Sequence, residues 1–467
     1  MEINFIGGAY LDRSSNLNAQ VCQNLYPIID QEHGNKSVAA LMNTPGLTLF
    51  CSLGSGKIRG FCVMGDYLYV TRGDKVYRVD KNGNYDLMTG ILLTNATNLW
   101  MANNGTQVMI VDGVAGYILS GTTVTQIADA DFPIPTSLTY QDGYFIISKK
   151  DTGRFYLSGS YDGTSWSALD YATAEGDPDN LQVVISSRSE LWLLGKTSFE
   201  VWYNAGVGTP PFSRISGAFN HIGCSAPKSV AEFHGIVAGL DNNRYVMMTE
   251  GYNGKKISTP QIDYQIAQYT TVDDAVGFIY SQEGHTFYVL TFPSEDKTWC
   301  YDFTVGHWHT RASGVSDSRH RPNCYALFEG MHIVGDFENG NLYKYDLGVY
   351  SDDGTILRKI RSCQAVHGDR KLIFHSALEV EFESGVGLNV DDPDIGSGQD
   401  PQAVLQWSDD GGHVWSNEHW SPIGKIGKYN TRVRWKKLGS SRSRVYRVMV
   451  TDPVKTVMIG AHLDFSV

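Results

Sequence analysis

The sequence predicts an all-β protein: an N-terminal arm or docking segment (1–55), a β-propeller of six or seven blades (56–359) and a C-terminal β-sandwich (360–467). Three observations carry this reading. The 467 residues include 49 glycines, 26 tyrosines and 10 tryptophans, a makeup that suits tight turns between aromatic-rich strands, and long helix-period runs of Ala, Glu, Lys and Leu are missing. One two-strand pattern returns at a nearly regular interval. From about residue 360 that interval is lost and another strand spacing takes over.

The arm, "NLYPIIDQEHGNKSVAALMNTPGLTLF", contains Pro27, Pro45 and Gly46 with little periodicity, and reads as a segment that packs on something else. The repeated unit follows: a turn, a short β-run, another turn, and a second β-run rich in Tyr, Trp or Phe. Copies begin at Gly65, Asn104, Asp142, Ser189, His234, Glu283 and Glu329, 38 to 49 residues apart, the length of one four-stranded blade. Seven copies fit six or seven blades, because one hairpin can belong to a flanking segment. Radial repetition also leaves few open sheet edges, which a chain with so many strands needs. Beyond 360, "ALEVEFESGVG", "AVLQWSDDGGHVW", "TRVRWKKLG", "SRVYRVMVTDP" and "TVMIGAHLDF" read as sandwich strands. "NVDDPDIGSGQDPQ" (389–402) is an acidic loop among them.

Charge and cysteine usage narrow the function. The formal net charge is −12, the opposite of a protein built to grip DNA phosphates. It suits solubility, and equally a wall past which DNA slides without sticking. The seven cysteines (22, 51, 62, 224, 300, 324 and 363) are odd in number, widely spaced and without C-x-x-C, which argues against structural zinc and against a secreted disulfide framework. "MEINFIGGAYLDRSSN" lacks the pattern of a signal peptide, and no apolar run reaches the roughly 18 residues of a membrane span. The chain reads as made and folded in a reducing cytosol.

Four motifs invite chemistry. Ser408, Asp410, Gly412 and Trp415 form an Asp-box, and Ser160, Asp162, Gly163 and Trp166 a shorter one. Each residue has a structural duty there: Asp accepts loop N–H groups, Gly turns the chain, and Trp packs beneath. A sugar hydrolase additionally needs an arginine cluster and a Tyr/Glu nucleophile pair, and no spacing singles one out. His307 and His309 share a strand face, with His320 nearby, but no carboxylate or cysteine stands at a diagnostic distance; exposed polar histidines on a blade strand are the expectation. Arg432, Arg434, Lys436, Lys437, Arg442, Arg444 and Arg447 form the one dense cationic run, for docking on an acidic partner or for phosphate contact. "GSGK" (54–57) lacks the spacing of a phosphate loop, and no G-x-S-x-G or H-E-x-x-H occurs. No enzyme, cofactor or metal is expected.

Several segments resemble the packaged-DNA stabilisation proteins of short-tailed bacteriophages, also called tail hub or nozzle proteins. "TRVRWKKLGSSRSRVYRVMVTDPVKTVMIGAHLDF" (431–465) is similar to the family's ending, "QNLYPI" and "NTPGLTLF" (43–50) to its beginning, and "FEVWYNAGVGTPPFSRISGAFNHIGCSAPKSV" (199–230) to its middle. The Asp-box at 408–415 is not a hallmark of that family. The resemblance implies a virion protein of the short tail, assembled in the host cytoplasm as a homohexameric propeller ring beneath the portal and adaptor rings. Such a ring closes the channel, retains packaged DNA, gates its ejection, and carries a distal tail needle or fibre. It touches DNA only transiently and without sequence preference, and has no small-molecule substrate. Because each neutralised phosphate adds affinity and slows transit, acidic loops carrying Asp129 and Asp131, or Asp391, Asp392 and Asp394, are expected to line the channel. The basic face from Arg432 to Arg444 is expected to meet the adaptor or a neighbouring subunit. The competing reading is a carbohydrate-binding or glycan-hydrolysing propeller, such as a receptor-binding tail protein.

Overall fold

Why seven hairpins recur is answered by the sheets they build. The computed structural model describes residues 2–11, 13, 19–29, 39–90, 93–94, 99–368, 371–388 and 398–466. Seven four-stranded antiparallel blades, numbered here in chain order, surround one axis. Their innermost strands are Ile58–Met64, Trp100–Asn103, Pro135–Gln141, Leu181–Ser187, Ala231–Phe233, Val276–Gln282 and Pro322–Phe328, each packed on the next in a closed ring. Every hairpin of the sequence repeat supplies the second and third strands of one blade, so none is left over for a flanking segment. Six blades are sheets of their own, and the sheet of blade 6 runs on into the C-terminal domain.

The repeat begins at a turn for a stereochemical reason. In blades 3, 5, 6 and 7 the first hairpin closes through Asp142–Gly143, His234–Gly235, Glu283–Gly284 and Glu329–Gly330, with both residues at positive φ. That is the two-residue turn whose twist matches the strands it joins, and glycine at the second place adopts it without strain. The second strands read as unbroken apolar runs because both faces are buried. In Gln107–Val111, Val108 and Ile110 pack towards blade 1, while Met109 and Val111 pack towards Phe145 and Ile147 of blade 3.

The circle is closed by the arm. Strand Gly46–Ser52, ahead of the expected propeller start at 56, pairs antiparallel with Asn341–Asp346 as the outer strand of blade 7. A Cβ on Gly46 would stand 2.4 Å from the Val349 carbonyl oxygen, so only glycine lets the chain enter there. Upstream, Leu25–Ile29 and Ala39–Asn43 extend one sheet of the sandwich, beside Val457–Ser466, Ile373–Phe382 and Val433–Lys436. The opposing sheet consists of His419–Pro422, Gln402–Ser408, Ser443–Val450 and Lys359–Ser362. Leu378, Val433, Trp435 and Leu463 from the first sheet share a core with Leu405, Tyr446 and Val448 from the second.

Two arm residues, Cys22–Gln23, then join the sandwich to the propeller. They pair with Lys359–Ser362 on one side and with Thr310 of blade 6 on the other, making one ten-stranded sheet. Buried Asn24 ties the joint: its amide donates to the Ala312 and Arg358 carbonyls at 2.9 and 2.8 Å, and its oxygen accepts from Ala312 N–H at 3.0 Å. Arg361 is fully buried beneath it. Its guanidinium donates to the carbonyls of Phe5 (2.6 Å) and Gly8 (2.8 Å) and to Gln20 Oε1 (2.7 Å), fixing the start of the chain against the sandwich. Buried Lys359 donates to the carbonyls of Asp452 (2.8 Å) and Val454 (3.3 Å); burial pulls its pKa down to about 7.

Candidate docking and channel surfaces

The cationic run starts on the outer face of the first sandwich sheet. In Val433–Lys436, Val433 and Trp435 enter the core, so Arg434 and Lys436 point outward. The register sets Glu379 opposite Arg434 on one side and opposite His462 on the other. Arg432 grips Glu379 with two bonds of 2.7 and 2.5 Å, and Arg434 reaches Asp464 at 2.5 Å. The hydrogen bonds from Arg432, then its charge and that of Arg434, hold the Glu379 carboxyl below its ordinary range. Two arginines and two carboxylates cancel on this face, so the cationic surface expected across the whole run does not form here.

Arg444 departs further from that expectation. It is 2 % exposed, clamps Asp409 through Nε–Oδ1 and Nη2–Oδ2 contacts of 2.6 and 2.8 Å, and donates to the Leu438 carbonyl. Its place in Ser443–Val450 points it inward, so it is not a surface charge. Lys436, Lys437 and Arg442 remain exposed around the turn between them, and Arg447 lies 3.8 Å over the Trp415 ring.

Both Asp-boxes are built from their own hydrogen bonds. Ser408 Oγ donates to Asp410 Oδ1 at 2.6 Å and accepts from Gly412 N–H at 2.8 Å; Asp410 also accepts from His413 and Val414 N–H. Those bonds lower the Asp410 pKa. In the shorter box, Asp162 accepts from Thr164, and the Trp166 indole donates to Gly163 O at 2.9 Å while packing between blades 2 and 3. All the polar groups named are engaged in holding the turns.

Asp129 and Asp131 have a local duty on blade 3. Its outer strand, Asp162–Thr173, has no neighbour beyond it among the described residues. Asp129 Oδ2 accepts from Trp166 N–H at 2.9 Å and Asp131 Oδ2 from Ala168 N–H at 3.1 Å, covering two donors of that open edge. Backbone hydrogen bonds from Asp131 and Trp166 lower the Asp129 pKa. Asp391, Asp392 and Asp394 lie outside the described residues.

The histidines are not the exposed polar groups expected. His309 and His320 are buried at 0 and 2 % exposure beside fully buried Arg311, while His307 is half-buried. Arg311 donates to Tyr280 OH at 2.6 Å and to His309 Nε2 at 3.4 Å, and His320 Nε2 meets Tyr345 OH at 3.0 Å. Burial, reinforced by Arg311, holds both imidazoles well below their ordinary pKa and neutral. Sequence reasoning missed Glu379, Asp464 and Asp409, the partners that decide what the cations do. The alternation of "LEVEF" was a signal for Glu379; nothing local announces the other two.

Family comparison accounts for both parts of the chain. The model described as Bacteriophage P22 Gp10, beta-propeller, matches residues 1–350, and Bacteriophage P22 Gp10, beta-sandwich, matches 361–466. The chain belongs to the bacteriophage P22 Gp10 family. It is a phage tail and stabilisation protein and a component of the virion. The family's propeller-plus-sandwich plan is the one found here, with residues 351–360 between the two matches and the second beginning inside Lys359–Ser362.

Among curated proteins none matches the sequence. Solved structures that the chain is similar to include the computationally designed Ika8 protein, at 10 % identity over 64 % of this chain and 99 % of that one, TM-score 0.41. Virginiamycin B lyase from Staphylococcus aureus has 8 % identity over 62 % and 94 %, TM-score 0.42. The extracellular domain of the one component system BT4673 from B. thetaiotaomicron has 10 % identity over 89 % and 57 %, TM-score 0.44.

Proposed function

We propose that this chain is the tail hub or nozzle of a short-tailed phage: a non-enzymatic homohexameric ring that extends the portal–adaptor channel, retains packaged DNA and gates its ejection. The observation that carries the reading is membership of the P22 Gp10 family over both domains. Electrostatics support it. A net charge of −12 per chain, multiplied around a ring, gives DNA few cationic contacts at which to stall. The construction supports it too, since a hub carries load between the particle and the distal needle or fibre. The continuous sheet from blade 6 through Cys22–Gln23 into the sandwich suits that duty. Lys436, Lys437 and Arg442 are the cations we assign to the adaptor or a neighbouring subunit, and the acidic loops to the channel wall.

The test is assembly. Purified protein mixed with a portal–adaptor complex is expected to add a ring of six copies, and particles packaged without it are expected to lose DNA. Protein that stays monomeric beside the complex, with DNA retained equally well in its absence, sinks the proposal.

A further inference from the structure

At the end of the propeller axis where the innermost strands begin lies a pocket of about 790 Å³. Its wall comes from blades 1, 2, 6 and 7 and from the turn leading into blade 5. In a chain of net charge −12 this pocket gathers Lys57, Arg59, Lys228 and Arg319 against Asp273, Asp274 and Asp296. Its volume is in the range of small-molecule sites, a few hundred to about 1,000 Å³.

Buried side-chain atoms on this wall without a hydrogen-bond partner among the described residues include Trp100 Nε1, Asp274 Oδ1 and Arg319 Nη1. Buried polar groups are normally satisfied, so a cluster of unmatched ones beside a cavity calls for a hydrogen-bonding partner there. Arg319 is only 6 % exposed, and its guanidinium carbon sits 3.5 Å over the Phe337 ring, so it is pinned while Nη1 stays unmatched. The nearby carboxylates are partly engaged elsewhere. Asp274 Oδ2 accepts from Ser294 N–H and Oγ at 2.9 and 2.7 Å, and Asp296 Oδ1 accepts from the Arg319 backbone N–H at 2.8 Å.

Lys228 supplies the second cation. From the turn before blade 5 it reaches blade 2, where its ammonium stands 3.8 Å from the Trp100 ring centroid and donates to the Leu99 carbonyl. Burial, with repulsion from Arg59, pulls its pKa down to about 7, and no carboxylate acts on it to restore the charge. An anion in the pocket would supply that missing charge.

The geometry points to a binding site for a small molecule that carries an oxyanion, a phosphate monoester or a carboxylate, together with a hydroxyl or amino group. Arg319 and Lys228 receive the oxyanion, the Trp100 indole adds a neutral donor, and Asp274 Oδ1 accepts from the hydroxyl or amine. The molecule is a ligand of a structural protein, with no bond made or broken.

The test uses the full-length chain, with inorganic phosphate and succinate titrated separately by calorimetry at constant ionic strength. At least one probe is expected to bind saturably in the millimolar range with one site per chain. Saturation by phosphate assigns the phosphate-ester source, and saturation by succinate alone assigns the carboxylate source. Arg319→Gln and Lys228→Met are each expected to weaken binding at least about tenfold, as the loss of a charged hydrogen bond does. Trp100→Phe keeps an aromatic face for Lys228 while removing the indole N–H together with its five-membered ring, so it reports on the site even where the other variants fold poorly; a several-fold loss is expected. No saturable binding of either probe, or binding unchanged in folded Trp100→Phe and Lys228→Met proteins, overturns the proposal.

Discussion

Arg434 on the outer face of the sandwich and Arg361 at its joint with the propeller lie on strands of the same domain, yet they are satisfied in different ways. Arg434 keeps about a third of its side chain in water and leans on Asp464, with Glu379 beside it. Arg361 is fully buried, and its guanidinium donates to the carbonyls of Phe5, Gly8 and Val21 and to the amide oxygen of Gln20. A surface ion pair trades one set of water contacts for another of similar worth. A buried guanidinium has no water to fall back on, so it fixes the path of whatever chain supplies its acceptors. Here that chain is the arm, which also closes the propeller. The buried cations thus organise the joint, and the surface run tunes what can dock.

The sharpest way to break this comparison is Arg361→Met. The acceptors on the arm would lose their donor inside the protein, and stability should fall by about 3–5 kcal/mol. A lowered urea midpoint and early protease cleavage near residues 2–11 would register it. An unchanged midpoint would show that the arm is held by apolar packing alone.

Acid probes the same buried network less severely. His309 and His320, held neutral by burial and by Arg311, and His375, brought down to about 4 by burial and Arg444, bind fewer protons folded than unfolded. Their contribution is intact above the unfolded value near 6.5 and is lost as pH falls below it, by up to about 1.4 kcal/mol per pH unit for each histidine. Asp352, raised by burial to about 6, and Asp241, also raised by burial, work in the opposite direction, while His307 and His332, lowered by burial, add to the three histidines. Urea midpoints measured from pH 7.5 down to pH 5 should decline, and a flat profile would remove the histidines from the account.

The smallest effect is expected from Arg434→Ala. With its partners exposed, the change should cost less than about 1 kcal/mol and should vanish in high salt. A larger, salt-independent loss would mean that the outer face is part of the buried frame.

The propeller was legible because its signal is local. Each hairpin carries its own turn residues and its own alternation, so seven copies announce six or seven blades, and only the packing places every one of them in a blade. The Asp-boxes were legible for the same reason: Ser408, Asp410 and Gly412 lie within a few residues and satisfy one another. The cations were misread where the answer lay on another strand. "TRVRWKK" shows the alternation that turns Arg434 outward, but not that Glu379 and Asp464 wait beside it. The position of Arg444 one residue before an apolar run did not disclose that Asp409 would meet it inside.

By itself, the sequence determined the all-β class, the seven repeated hairpins, the change of architecture near 360 and the structural nature of both Asp-boxes. These rest on backbone stereochemistry and strand periodicity, which act over a few residues. Only the tertiary structure decided that Gly46–Ser52 closes blade 7, that the two residues Cys22–Gln23 weld the blade 6 sheet to the sandwich, and that Lys228 and Arg319 line one pocket. Those outcomes depend on contacts between residues far apart in the chain. They are selected by the burial and hydrogen bonding of the whole chain, and no short stretch of it encodes them.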